Sequence, residues 1–211
     1  MVLSVTDLDG NILGLYVMPN ETEFSIGVAV AKARNTAYYD GPTLQPSDQL
    51  AGIPAGTAFT NRTFRFLAEP RYPEGVGSTP GPWSALNDPG INPATGEDSG
   101  APLAASVYTS STASELAHAA FDPTANFRDP NNLLNQNGVV FFPGSAGLYK
   151  NGTGTLVGGF GASGDGVDED DVVTFSSVVG FDPLAAKQVD NYFYKTVRLP
   201  YQEFDLNPRN K

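Results

Sequence analysis

The sequence predicts a mixed α/β (α+β) fold, and three stretches predict it. Val2–Thr6 and Ile12–Met18 are β-rich runs around Asp7-Leu8-Asp9-Gly10-Asn11, a hairpin pattern. Leu148–Lys150 and Thr155–Phe160 form a second hairpin around Asn151-Gly152, a pair that tolerates the positive φ of a tight turn. Glu21–Tyr39, ETEFSIGVAVAKARNTAYY, reads as a helix that Thr22 can cap.

The turn of the first hairpin has the Asp-x-Asp-Gly-Asn spacing of a calcium loop. No acid stands at the twelfth loop position, Met18, and no helix precedes it, so a plain turn is the better reading. In the helix, Phe24, Ile26, Val28, Val30, Ala31 and Ala33 give apolar cover, and the alanines predict close approach to a sheet. Phe24 to Val30 also alternates like a strand, so the helical pattern is clearest after Val28. Lys32, Arg34 and Asn35 are its polar residues. A solvated face near the helix C-terminus accounts for them most simply, and an anion or carboxylate contact is the functional alternative.

Asp40–Asn137 is a loop-rich insert studded with Pro, Gly, Asn and Ser. Its one strongly periodic piece is Ala58–Ala68, AFTNRTFRFLA. Phe59, Phe64, Phe66 and Leu67 would pack there, and Arg62 and Arg65 would point elsewhere. Helix and strand both fit; Thr60 or Asn61 could cap a short helix. Ser114–Ala120 reads as another turn or two of helix carrying the single histidine, His118. Connections this long are functional, packed on a partner, or disordered. Gly138–Pro143, GVVFFP, reads as a buried strand.

From Gly144 to Asp171 the chain reads hairpin, glycine loop, helix. Gly158–Gly166, with Ser163 and Gly164 inside it, offers backbone N–H groups for an anion nest. Asp165, Asp168, Glu169, Asp170 and Asp171 would repel a phosphate there. Asp165, Asp168 and Asp170 could instead hold Ca²⁺ through carboxylates and loop carbonyls. Acids favoured in the first turn of a helix, by the dipole and by capping, are the simpler account. An apolar segment, Val172–Val179, continues that helix. The tail, Phe181–Lys211, contains Tyr192-Phe193-Tyr194 and Val197-Arg198-Leu199-Pro200-Tyr201, and a tail this aromatic docks on its own domain or on a neighbour.

The totals set limits. The chain has 211 residues, enough for one domain with a sizeable core. Twelve Lys and Arg stand against 23 Asp and Glu, a net charge of −11. That balance argues against nucleic acid and against anionic membranes as partners. Without cysteine, the chain has no disulfide or thiolate chemistry. No apolar run approaches the ~20 residues of a membrane span, and no signal peptide is visible. Catalytic motifs are missing: no Gly-x-Ser-x-Gly elbow, no His-Glu-x-x-His, no phosphate loop.

Three pieces carry a family resemblance by their order: VTDLDGNILGLYVM (Val5–Met18), AVAKARNTA (Ala29–Ala37), and Pro143–Asp171 with its LYKNG and LVGGFGASGDGVDEDD segments. Together they resemble the GlcG/HbpS-like family of haem-binding proteins, which includes the C-terminal domain of PduO-type proteins. VRLPYQEF (Val197–Phe204) is similar to the end of a subgroup of large secreted bacterial proteins of haem-binding type. The resemblance implies a profilin-like antiparallel sheet with packed helices, oligomeric assembly, and haem or corrinoid as ligand in some members. It also implies an extracellular or periplasmic location. The chain departs from the pattern in three places. It starts at the first strand, without the family's leading helix. The Asp40–Asn137 insert swells a short connection. Gly144-Ser145-Ala146-Gly147 stands where the family has Gly-Gly-x-Pro.

Haem requires an axial ligand, an apolar slot and cations for its propionates. His118 is the ligand by type, although a lone His beside alanines is more often packed or solvated. Tyr38, Tyr39 and Tyr149 are further candidates, and Lys32 and Arg34 could meet carboxylates. The expectation is therefore a non-enzymatic haem or small-ligand binding domain over residues 1–180, with a docking tail over 181–211. The alternatives are a structural or assembly subunit and a corrinoid-linked enzyme accessory. A first strand without a helix before it also predicts an apolar sheet face that the insert, the tail or a second chain must cover, and a homo-oligomer follows if a second chain does so.

Overall fold

The computed structural model describes residues 1–44, 48–68, 133–135, 137–151, 153–194 and 196–202. Its centre is a four-stranded antiparallel sheet in the order β2-β1-β4-β3. The strands are β1 (Val2–Thr6), β2 (Ile12–Val17), β3 (Ser145–Lys150) and β4 (Thr155–Ser163). The helices are α1 (Glu23–Tyr39), α2 (Asn61–Leu67) and α3 (Val167–Ser177). A small ribbon, β5 (Phe193–Tyr194) with β6 (Val197–Arg198), completes the described fold. The α+β class is as expected.

Turn chemistry sets the first hairpin. Asp7 Oδ1 accepts the backbone N–H groups of Asp9 (2.9 Å) and Asn11 (2.8 Å), and Asp7 Oδ2 accepts from the Asn11 amide (2.9 Å). That carboxylate closes a turn, as the simpler reading expected. In the second hairpin, the Thr153 N–H donates to the Lys150 carbonyl (3.1 Å).

α1 packs on one face of the sheet, and glycines let it. A Cβ on Gly159 would lie 1.9 Å from the Ala33 carbonyl oxygen, and one on Gly161 would lie 2.2 Å from that of Ala29. Ser4, Thr6 and Ser145 share this small-residue face and are buried. The other face carries Leu3, Val5, Ala146, Phe160 and Ala162, packed with Val173 and Val178 at the C-terminal end of α3. On β1, Val2, Ser4 and Thr6 are buried on one face, and Leu3 and Val5 on the other are half-buried. β2 is the exception, and every one of its residues is exposed.

The larger core lies beyond the C-terminal end of α1. Tyr38, Tyr39, Phe59, Phe64, Leu67, Val189, Leu199 and Tyr201 meet there. Within Ala58–Ala68, Asn61–Leu67 is helix, started by a reciprocal capping box of Thr60 and Thr63, while Ala58 bridges Gln188 in parallel. The tail docks on its own domain through Gln202: Thr63 Oγ1 donates to the Pro200 carbonyl (2.7 Å), and Thr60 Oγ1 donates to that of Tyr201. Residues 181–194 and 196–202 thus pack on their own domain.

Two expectations need correction. Gly138–Pro143 is not a strand. Asn35 Oδ1 accepts from the Val140 N–H (2.9 Å), Asn35 Nδ2 donates to the Gly138 carbonyl (2.8 Å), and Asn61 Nδ2 donates to the Val140 carbonyl. Side-chain amides take the backbone groups that a ladder would use. Arg62 does not point away either. It is buried and pairs with α3, Nε to Asp171 Oδ2 (2.5 Å) and Nη2 to Asp168 Oδ1 (2.9 Å).

Candidate functional site

α1 and α3 begin side by side at the end of β4, and a pocket of about 310 Å³ opens between their first turns. Thr22, Phe24, Ser25 and Val28 come from the start of α1, Ser163 from the last position of β4, and Val167 from α3. Gly164, Asp165 and Gly166 join them, and Phe142 closes one wall. Apolar walls and a few converging polar groups are the general make-up of a small-molecule site, and the volume sits at the small end of the usual range. Phe24 faces solvent at this rim, so its expected part in covering the sheet is not found.

Lys32 and Asp170 form the pocket floor. The Lys32 ammonium donates to Asp170 Oδ2 (2.8 Å) and to the Ala162 carbonyl (2.6 Å), and the side chain is fully buried. Burial pulls its pKa below the ordinary lysine value, against the opposing attraction of Asp170 and Asp171. The solvated-face reading of Lys32 is thus overturned. Gly144 makes room for this pair: it sits at φ 111°, and a Cβ there would fall 2.6 Å from Asp170 Cβ and 3.0 Å from Lys32 Nζ. Thr22 Oγ1 and Ser25 Oγ are 2.8 Å apart on the opposite wall.

Of the residues singled out by sequence, Lys32, Ser163, Gly164, Asp165 and Asp170 come together here. Arg34 does not. Its Nε donates to the Gly10 carbonyl (2.9 Å) and its Nη1 to Asn137 Oδ1 (2.5 Å), so it ties the first hairpin turn to the loop before β3. Asn35 is buried in the amide network around Gly138, Val140 and Asn61. His118 lies outside the described residues. Thr22, Ser25, Val28 and Phe142 were missed; a helix cap and apolar side chains carry no chemical signature in sequence.

The calcium expectation is corrected. Asp168 is held by Arg62 and Asp170 by Lys32, so protein cations already neutralise these acids. Among the described residues, no group of three or more His, Cys, Asp and Glu is arranged to hold a metal ion.

Tyr149 lies in the larger core rather than at the pocket, donating its hydroxyl to Asp40 Oδ2 (3.0 Å). Asp40 Oδ1 also accepts the Phe59 N–H (2.7 Å). Burial pushes the Asp40 carboxyl well above the usual carboxylate range, although those hydrogen bonds and the Lys187 charge oppose it. A carboxyl raised in the fold stabilises the protein fully below its unfolded pKa, near 3.8, and that stability is lost as pH rises through the native value. Asp40→Asn is therefore expected to raise the melting temperature at pH 8 and to do little at pH 4. Thermal melts of both proteins across that range check it, and a variant less stable at pH 8 would contradict the burial argument.

Fold and pocket define an α+β domain whose sheet lies between two helices that start together around a small cavity. Neither a protein-family model nor a curated protein sequence matches the chain. Among solved structures, it is similar to the Klebsiella pneumoniae protein ORFY, described under the family model DUF336. There the identity is 14%, the TM-score 0.43, and the match covers 85% of this chain and 73% of the other. It is also similar to a structure described as a PduOC:heme complex, at 16% identity and TM-score 0.37, covering 87% of this chain and 79% of that one.

Proposed function

We propose that this domain binds a small molecule, without catalysis, in the pocket between the first turns of α1 and α3. One observation carries the reading: Phe24, Val28, Phe142 and Val167 line an open pocket beside the Thr22, Ser25 and Ser163 hydroxyls at two adjacent helix starts. Helix starts present N–H groups that lack intrahelical partners, which suits an uncharged or singly anionic acceptor on an apolar body. The non-enzymatic part rests on sequence, since one His and no Cys leave few ways to build an activated nucleophile. An extracellular or periplasmic setting rests on the family resemblance alone.

Haem is the ligand that the resemblance suggests, and the described lining does not fit it as a ligated group. The lining has no His, Cys, Met or Tyr to supply an axial bond. Lys32, the cation present, is already paired with Asp170. A haem ligated at this pocket would therefore need an axial residue from outside its lining, and His118, outside the described residues, is the candidate by type.

Titration separates these outcomes. Hemin, and a panel of small aromatic and aliphatic carboxylic acids, are added to the wild type, Val28→Trp and His118→Ala, with Soret absorbance and thermal shift as readouts. Val28→Trp fills the cavity and is expected to abolish thermal shifts by the small acids while keeping the fold. A saturable Soret change at tens of micromolar hemin, roughly the weak end of specific binding, that His118→Ala removes identifies haem as ligand. Binding indifferent to Val28→Trp would place the site elsewhere. No saturable binding of any probe would leave the assembly role as the better reading.

A further inference from the structure

The charge and the open hydrogen-bonding groups of the pocket narrow the class of ligand. Lys32 and Asp170 cancel each other at 2.8 Å, which leaves Asp165 as the lining acid with no cation beside it among the described residues. Asp165 is exposed, and its carboxylate makes no hydrogen bond among those residues. Ser163 is only 5% exposed. It lies on the face of β4 that Gly159 and Gly161 share, so its side chain is directed at the start of α1. It lines the pocket, and its hydroxyl has no hydrogen-bond partner among the described residues. A hydroxyl this buried is costly to leave unbonded. Both helix starts are also uncapped: Gly166 offers α3 no side chain, and the Thr22 side chain makes no capping bond to α1. Donors for a carboxylate and an acceptor for a cation thus meet in one open pocket.

We propose that the ligand is a free α-amino acid with an apolar side chain. The inference rests on the pocket reading above and narrows it. The carboxylate takes the unpaired N–H groups of the two helix starts and the Ser163 hydroxyl. The ammonium takes Asp165. The apolar side chain lies against Phe24, Val28, Phe142 and Val167. Charge decides between this ligand and a simple acid. With Lys32 and Asp170 paired, the lining keeps the negative charge of Asp165, which repels a bare carboxylate. A zwitterion brings its own cation to that position. The cavity, about 310 Å³, is at the small end for a ligand site and suits one amino acid rather than a peptide.

The test uses the whole chain and calorimetric titration. Leucine and phenylalanine are compared with the same molecules lacking the amine, 4-methylpentanoate and 3-phenylpropanoate, and with those lacking the carboxylate, 3-methylbutylamine and 2-phenylethylamine. Each amino acid is expected to bind more tightly than both of its truncated forms. Asp165→Asn is expected to weaken amino-acid binding by about fivefold or more, the scale of one charge pair near water, and to leave the simple acids unchanged or tighter. Ser163→Ala is expected to weaken amino acids and simple acids alike. Asp165 is exposed and its side chain is unbonded among the described residues, so Asp165→Asn should melt as the wild type does. Simple acids that bind as tightly as the amino acids, amines that bind more tightly, or an Asp165→Asn protein with unchanged affinity for leucine would each overturn the proposal. If Val28→Trp still abolishes binding in those cases, the pocket reading stands without it. Amino-acid binding that survives Val28→Trp, or no binding of any of these probes, would overturn both.

Discussion

Gly159→Val is expected to leave the protein unfolded or close to it, the largest effect of any single change considered. The reason is a backbone contact. A Cβ at this position would meet the Ala33 carbonyl oxygen at 1.9 Å and the Ala33 carbonyl carbon at 2.9 Å. Neither atom can rotate aside, so α1 must lift from the sheet. Lifting it opens the buried faces of Ala29, Ala33 and Thr36 and of Ser4 and Thr6. Overpacking a core usually costs about 1–3 kcal/mol where side chains can adjust. Here the contact is with backbone, and a domain has only about 5–15 kcal/mol in total. Gly14→Val is the control, since a Cβ there meets nothing within 4 Å. Urea melts of the two variants check the argument, and a Gly159→Val protein as stable as Gly14→Val would refute it.

Arg62→Ala is expected to cost about 3–5 kcal/mol, the usual consequence of removing one member of a buried ion pair. Asp171 is fully buried and also accepts the Gly144 N–H (2.8 Å), so losing Arg62 leaves a carboxylate closed off from water without that cation. The same guanidinium joins α2 to the first turn of α3, and therefore to one side of the pocket. Arg62→Lys should recover only part of the loss, because an ammonium cannot reproduce the guanidinium fork that serves Asp171 and Asp168. Asp168→Ala provides the comparison. Its side chain is 52% exposed, and loss of an exposed partner costs about 1 kcal/mol or less. Equal losses from Arg62→Ala and Asp168→Ala in denaturant melts would show that the buried contact with Asp171 is not the important one.

Much of the fold is legible from local chemistry. Asp7 and Gly10 mark the first turn, because turns depend on residues close in sequence; Thr22 stands at the start of α1, but its side chain makes no capping bond and lies 2.8 Å from Ser25 Oγ instead. β1 is bounded as expected, and α1 begins two residues later than read. The short strand read at Leu148–Lys150 extends back to Ser145, and β4 runs three residues past Phe160 to Ser163. Those extensions rest on pairing: Ser145 lies opposite Gly161, and Ser163 opposite Val2. A glycine-rich strand has no periodicity to show how far it runs, and its length is set by its neighbours. GVVFFP fails for the opposite reason. It is apolar enough for a strand, but Asn35 and Asn61, more than 75 residues away in the chain, bind its backbone groups.

The candidate site divides in the same way. Lys32 and the acids of α3 stand out as charges, yet only the fold shows which of them are neutralised. Lys32 reads as a solvated helix residue until Asp170, 138 residues later, is brought to 2.8 Å from it. Arg62 reads as pointing outward until α3 arrives beside α2. What the sequence by itself determined was the two hairpins, α1, the acidic first turn of α3 and the charge balance, because these follow from neighbouring residues and from composition. What only the tertiary structure decided was which charges are buried in pairs, which glycines admit a helix, that the tail closes its own core, and that β2 is exposed along its whole length. Each depends on contacts between residues far apart in the chain, and burial is a property of such contacts and not of any residue alone.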